Sequence, residues 1–325
     1  MEQRAAPAPL PASAFHCLLD EQPTHLLPLR LAKGLDRELP KALIVNPTCV
    51  FTRNGGLPSR LCVSPESLEN IAVQGNMVWV LDTETGIDHP FWYGKEFSSL
   101  LDGLGPGDPE PDDFPPHARA VLACAGVLVR PGGSQRRMEE WAHIVLHCRK
   151  QFERGFAPVG RLMHPFHIAA LRRYYRYRLR NGLIRLGDNQ SEQRYIAHND
   201  SVARFFHELL TKAVTQMLGH AVKPSYVYLS SYLGGSELEK HNDRPQCEYS
   251  ISFCLDYSPE PMCQTPWPLH LETKHERVTV YQAIGDGLLY RGRDLPHYRF
   301  PLRMGHTSTH LFFHYVDPEF QGPLA

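Results

Sequence analysis

Tyr226-Val227-Tyr228-Leu229-Ser230-Ser231 and Tyr249-Ser250-Ile251-Ser252-Phe253-Cys254-Leu255 both change character from one residue to the next. Period-two alternation marks extended chain, in which successive side chains point to opposite faces. Further short runs of this texture lie at 269–272, 278–281, 287–291 and 307–315, with Gly, Pro or Asp between most of them. Many short strands without a helical pattern between them predict a β-sandwich or barrel over the C-terminal third.

Working back from Pro224, the period changes to three or four residues. Met138, Trp141, Val145, Cys148 and Phe152 form one face of a helix with Ser134 as its N-cap, and Gly155 ends it. A second helix starts at Pro165 and turns Ile168, Leu171, Tyr175 and Leu179 inward before Gly182. A third covers about 201–218, with Val202, Phe205, Leu209, Val214 and Met217 inward and Gly219 closing it. The second helix carries Arg172, Arg173, Arg176, Arg178 and Arg180, expected to be a solvated basic face, with a local site for an anion as the alternative.

Upstream of Arg130-Pro131-Gly132-Gly133 the texture is of short apolar runs and turns. Met77-Val78-Trp79-Val80-Leu81 reads as a buried strand, and Ala118 to Ala125 as a short helix. The expectation is therefore an α+β chain in two parts. Residues 1–130 form a small N-terminal α+β domain or extension, and residues 131–325 form helices that buttress the β unit.

At 325 residues the chain is long enough for two such parts. Lys and Arg total 34 against 35 Asp and Glu, a balance that argues against a nucleic-acid or membrane-surface partner. No apolar run approaches a bilayer span, and the Ala/Pro-rich start, read as a frayed tail, lacks the plan of a signal peptide. Eight scattered cysteines without a Cys-x-x-Cys are expected to be free thiols in a reducing cytoplasm.

The chemistry gathers in Tyr232-Leu233-Gly234-Gly235-Ser236-Glu237-Leu238-Glu239-Lys240-His241-Asn242-Asp243. His241 and Asp243, two apart on extended chain, face one side, and His297 follows a later strand behind the rigid Leu295-Pro296. Two imidazoles and one carboxylate with open coordination positions suit non-haem Fe(II), with the free positions left for O2 and an organic co-substrate. The tripeptide His198-Asn199-Asp200 repeats this pattern. With 18 histidines in the chain, about one His-x-Asp arises by chance, and this copy stands where a helix N-cap belongs.

Tyr232-x-Gly234-Gly235, His241-x-Asp243, Gly285-Asp286-Gly287-Leu288-Leu289, His297 and the aromatic strand Leu311-Phe312-Phe313-His314-Tyr315 resemble the Fe(II)/2-oxoglutarate-dependent oxygenase superfamily, in its prolyl-hydroxylase-like branch, over roughly residues 224–316. The resemblance implies a double-stranded β-helix, or jelly roll. It implies a reaction that couples decarboxylation of 2-oxoglutarate to succinate with hydroxylation of an amino acid, peptide or small metabolite. It makes His241, Asp243 and His297 the metal ligands and places Tyr232 against 2-oxoglutarate.

The branch also has an Arg or Lys nine or ten residues after the distal histidine, to pair with the distal carboxylate of 2-oxoglutarate. This chain has His306 and Thr307 there. Candidates for the role are His306 with Ser308 or Thr309, then Arg299 or Arg303, and His310. A different co-substrate also stays open. Asp243 fills the position that related iron halogenases leave to chloride. Arg244, Arg291 and Arg293 near the presumed mouth are expected to be solvating loop charges, with clamps for an acidic or peptide substrate as the alternative. The alternative of another class is a cupin-like jelly-roll binding protein without oxygenase activity.

Overall fold

A computed structural model describes residues 10–22, 27–32, 39–132, 135–188 and 191–324. In chain order the elements are α1 (Leu29–Ala32), β1 (Ile44–Val45), β2 (Cys49–Thr52), β3 (Asn76–Asp82), β4 (Ile87–Tyr93), α2 (Lys95–Leu101), α3 (Pro116–Cys124) and β5 (Leu128–Val129). Then come α4 (Gln135–Phe152), β6 (Phe156–Val159), α5 (Pro165–Arg180), β7 (Arg185–Leu186), β8 (Arg194–His198) and α6 (Ser201–Leu218). The chain ends with β9 (Lys223–Leu233), β10 (Leu238–His241), β11 (Tyr249–Ser258), β12 (Leu269–Glu272), β13 (Arg277–Val280), β14 (Gly287–Tyr290), β15 (His297–Arg299) and β16 (Thr307–Val316). The α+β character read from the sequence is what the structure has. The expected start of α4 at Ser134, the neighbouring Gly133 and the N-terminal residues 1–9 lie outside the described residues.

Two antiparallel sheets make the C-terminal part. The larger runs β6-β14-β11-β16-β9-β8-β7 and the smaller β10-β15-β12-β13. Register opposes Tyr232 to Ser308, Ser230 to His310 and Tyr228 to Phe312, while Ser250 meets His314 and Ser252 meets Phe312. Opposed residues share a face, so one face of the large sheet is lined by tyrosine, serine and histidine. The other face, with Val227, Leu229, Ile251, Phe253, Leu311 and Phe313, joins the core that includes Leu171 of α5 and Val202, Phe205 and Val214 of α6. A separate apolar cluster of Phe156, Leu288 and Tyr290 with Leu238, Leu269, Leu271 and Val280 ties the two sheets together.

The helices end as their sequences dictate. Asp200 caps α6 by accepting from Ala203 N, and Gly219 at φ +81° closes it in the left-handed conformation that glycine adopts at no steric cost. Asn199 accepts from Val227 N at 3.1 Å, so the Asn and Asp side chains of the duplicate tripeptide both accept from backbone N–H groups. In α4, Trp141, Cys148 and Phe152 are buried, but Met138, expected inward, is 50% exposed.

The basic face of α5 is not a solvated one. Arg172 is 1% exposed and donates to Asp256 of β11 at 3.0 Å and to Glu260 at 2.6 Å. Arg176 grips the same Asp256 at 2.6 and 2.8 Å, and Arg178 pairs with the capping Asp200. These guanidiniums fasten the helix layer to the large sheet. Sequence alone could not show this, because the acidic partners lie 22 residues downstream for Arg178 and 80 to 88 downstream for Arg172 and Arg176.

Phe15 packs edge-on against Trp92, Tyr174 and Phe206, so one apolar core joins the N-terminal part to α5 and α6. Among the described residues no helix is long and apolar enough to cross a membrane.

Two predictions follow from this packing. Removing one partner of a buried ion pair leaves an uncompensated charge, so Arg172→Met is expected to cost about 3 kcal/mol in chemical denaturation, while Arg180→Met on the exposed last turn changes little. Burial also holds His89 and His207 down to about 3 and His164 down to about 4. The unfolded chain protonates its imidazoles near 6.5 and so takes up protons first. Stability is therefore complete above about pH 6.5 and falls between pH 6.5 and 4, by about 1.4 kcal/mol per pH unit for each such imidazole. Denaturation at pH 7, 6 and 5 measures this slope.

Candidate metal centre and cavity

β10 ends at His241 and pairs with β15, where His241 stands opposite His297. Asp243 follows on the chain leaving β10, held by its N–H donating to Gly292 O at 2.9 Å. One donor atom from each of His241, Asp243 and His297 lies within 4.8 Å of the others. Asp243 Oδ1 is 3.7 Å from His241 Nε2 and 3.5 Å from His297 Nε2. Ligands about 2.1 Å from one ion at right angles stand about 3.0 Å apart, so these two distances would each contract by roughly half an ångström or a little more to close on a metal.

The surrounding hydrogen bonds leave the correct atoms free. His241 Nδ1 is 2.7 Å from Glu239 O and His297 Nδ1 is 2.9 Å from Leu295 O. A carbonyl only accepts, so both rings carry their proton on Nδ1 and present a lone pair at Nε2. Burial lowers the pKa of His297, as does His241 beside it, against the opposite pull of Asp243, and the ring stays neutral. Ser250 Oγ donates to Asp243 Oδ2 at 3.1 Å, leaving Oδ1 to the histidines. Gly292 is required by contact. A Cβ there would fall 2.1 Å from Asp243 Oδ2.

These residues lie on a cavity of about 480 Å³. Its wall includes Tyr228, Ser230 and Tyr232 of β9, Phe312 and His314 of β16, Tyr290, and Arg194 with its partner Asp188. Ser230 Oγ is buried and has no hydrogen-bond partner among the described residues.

Arg299 follows His297 by two residues on β15 and so shares its face of the strand. It is 2% exposed. Its guanidinium lies 4.7 Å from the Trp267 ring and donates to Trp267 O and to Gln282 Oε1 at 3.2 Å. Its Nε is buried with no partner, and among the described residues no carboxylate lies within salt-bridge distance of it. Burial lowers its pKa, while the nearby Tyr232, Cys254 and Tyr290 act the other way. Tyr232 packs edge-on against the same Trp267 at 4.9 Å.

The remaining sequence candidates stand elsewhere. His306 lies on the turn before β16, its Nδ1 2.9 Å from Tyr257 Oη, and like Arg299 it is not among the residues that line the cavity. Arg303 is exposed on the same turn. Ser308 is buried opposite Tyr232, but its hydroxyl is 3.0 Å from His310 Nε2. Burial and the adjacent Arg299 push the pKa of His310 far down, so that ring is neutral. Burial pushes the Cys254 thiol up to about 12, in keeping with a packing role.

Sequence reading missed Gln282, Trp267, Ser250 and Gly292. Gln282 reaches both Ser252 O at 2.7 Å and Arg299, and links the sheets. The serines at 250 and 252, both on one face of an otherwise apolar strand, were the signal for a polar interior.

Gly292→Ala is expected to lower Co(II) affinity at least about tenfold by displacing Asp243, and His241→Ala to lower it further, in equilibrium dialysis or by the visible absorption of bound Co(II).

No family model matches the sequence, and no curated protein matches it. Several solved structures do resemble the fold. A prolyl hydroxylase from Trichoplax adhaerens, solved with a hypoxia inducible factor peptide, is 13% identical, with a TM-score of 0.47 over 57% of this chain and 94% of its own. A Pseudomonas putida prolyl-4-hydroxylase is 14% identical, with a TM-score of 0.44 over 55% and 99% of the two chains. A 2OG-Fe(II) oxygenase family oxidoreductase from Burkholderia pseudomallei is 13% identical, with 0.43 over 60% and 94%. Over a little more than half its length, the chain is similar to solved Fe(II)/2-oxoglutarate oxygenases, prolyl hydroxylases among them.

Proposed function

We propose that this chain is a non-haem Fe(II)- and 2-oxoglutarate-dependent oxygenase that hydroxylates an amino acid, peptide or small metabolite and releases succinate and CO2. The observation that carries the reading is the spacing on β15. His297 of the candidate ligand set stands two residues before a buried guanidinium that has no carboxylate within salt-bridge distance among the described residues and an unpartnered Nε. A charge buried in this way is costly unless an anion completes it. A dicarboxylate that reaches from a metal to Arg299 is such an anion.

In this reading the two facing sheets are a double-stranded β-helix within residues 131–325, and residues 1–130 are an extension packed onto the helices. His241, Asp243 and His297 hold Fe(II), which supplies the O2 activation that side chains cannot. Arg299 receives the distal carboxylate with charge-assisted hydrogen bonds. Trp267 covers the guanidinium and excludes water, which strengthens that pairing. Tyr232 lines the wall where the co-substrate's carbon chain would pass. Asp243 keeps the third coordination position occupied, which favours hydroxylation over halogenation. Free thiols at all eight cysteines support a cytoplasmic setting.

The test is anaerobic titration followed by turnover. The Fe(II)-loaded protein is expected to bind 2-oxoglutarate and, on admission of O2, to form succinate. Arg299→Leu should raise the Kd for 2-oxoglutarate about 100-fold or more with Fe(II) binding retained. His241→Ala should abolish both. Fe(II) binding without 2-oxoglutarate binding would favour a cupin-like metal-binding protein instead.

A further inference from the structure

We propose that the substrate of this site is a small anionic molecule, its acidic group held at the cavity mouth by Arg185 and Arg244 and its body lying against Tyr226 and Tyr228. The inference rests on the oxygenase reading and adds the substrate class to it.

The charges around the cavity do not balance. Its lining carboxylates are Asp188 and Asp243. Asp188 is taken by Arg194 and also accepts from Tyr228 Oη at 2.9 Å. Asp243 belongs to the candidate ligand set and to Ser250. Arg185 and Arg244 line the same cavity, and among the described residues neither has a carboxylate within 4.0 Å. A divalent ion at the triad would add to this positive excess.

The excess is specific to these two side chains rather than a general property of basic loops. Arg291 is spent on packing, 5.2 Å from the Phe152 ring and 5.7 Å from that of Tyr249. Arg293 does not line the cavity. Arg244, expected from sequence to be a solvating charge, is exposed but lines the cavity at its mouth. Its field is among the causes, after burial, that lower His198 and His314, both of which pack against Tyr226 on the large sheet.

The rest of the lining suits a compact organic acid. Tyr226 and Tyr228 offer aromatic surface, with His198 stacked on Tyr226 at 5.0 Å. The unpartnered Ser230 Oγ on the floor offers one more polar contact. A cavity of about 480 Å³ that must also admit a co-substrate suits a small molecule better than a peptide chain.

The test is a binding screen of matched pairs, aromatic and aliphatic carboxylates and phosphate monoesters against their neutral amides and methyl esters, by thermal shift and then calorimetry. It is run on the metal-free chain and on the anaerobic chain loaded with Fe(II) and 2-oxoglutarate. Anionic members are expected to bind more tightly than their neutral counterparts, and the two arms separate carboxylate from phosphate recognition. In Arg185→Gln/Arg244→Gln the preferred anion should weaken roughly tenfold while its neutral counterpart changes less than about twofold, and Arg293→Gln should behave as the parent. The inference is overturned if no anion outbinds its neutral counterpart, or if the preference survives in the double variant. Fe(II) binding is measured on the same variants. Its retention without an anion preference overturns this inference alone, whereas a parent chain that binds no Fe(II) overturns the oxygenase reading.

Discussion

A polar face inside a protein is stable only when its donors and acceptors find partners. Alternation along β9, β11 and β16 creates such a face, sending valine, leucine and phenylalanine to the helices and serine, tyrosine and histidine between the sheets. Most of these groups satisfy one another. Ser250 joins Asp243 to His314, Ser308 meets His310, and Gln282 crosses from one sheet to the other. Two atoms do not. Among the described residues, Ser230 Oγ on the cavity wall and Arg299 Nε beneath Trp267, outside the cavity lining, are buried without partners. The interior is thus built around groups that a bound anion would complete.

The layer behind that wall is fixed by charge as well as by apolar contact. Arg172 and Arg176 reach from α5 to Asp256 on β11, and Asp200 both caps α6 and receives Arg178. The triad stands mainly on the other sheet, where the pairing of β10 with β15 brings His241 opposite His297. It needs that pairing because its donors come from two strands and a loop, closed only by a glycine that admits Asp243.

Period-two and helical periods were legible in the sequence, so β12, β13, β14, β16, α5 and α6 could be read within a residue or two of their bounds, while β9 and β11 run up to three residues further and His297, read as following a strand, opens β15. β8 and β6 could not, since both are short and sit at or near the edge of the large sheet, where alternation is weak. The triad was legible because His241 and Asp243 share one strand end. The partner for a distal carboxylate was not, because the choice among Arg299, Arg303 and His306 depends on which strand faces inward. Burial decides it. Arg299 is enclosed, Arg303 is exposed, and His306 turns to Tyr257. The role of the α5 arginines was hidden for a similar reason, as their partners are distant in sequence.

A crystal structure of the chain with Mn(II) and 2-oxoglutarate tests the central claim most directly. The account predicts the metal between His241 Nε2, His297 Nε2 and Asp243 Oδ1, with the far carboxylate of 2-oxoglutarate on the Arg299 guanidinium. A metal held instead by Asp243, Cys247 and His314, whose donor atoms also lie within 4.8 Å of one another, or a distal carboxylate placed away from Arg299, would contradict it.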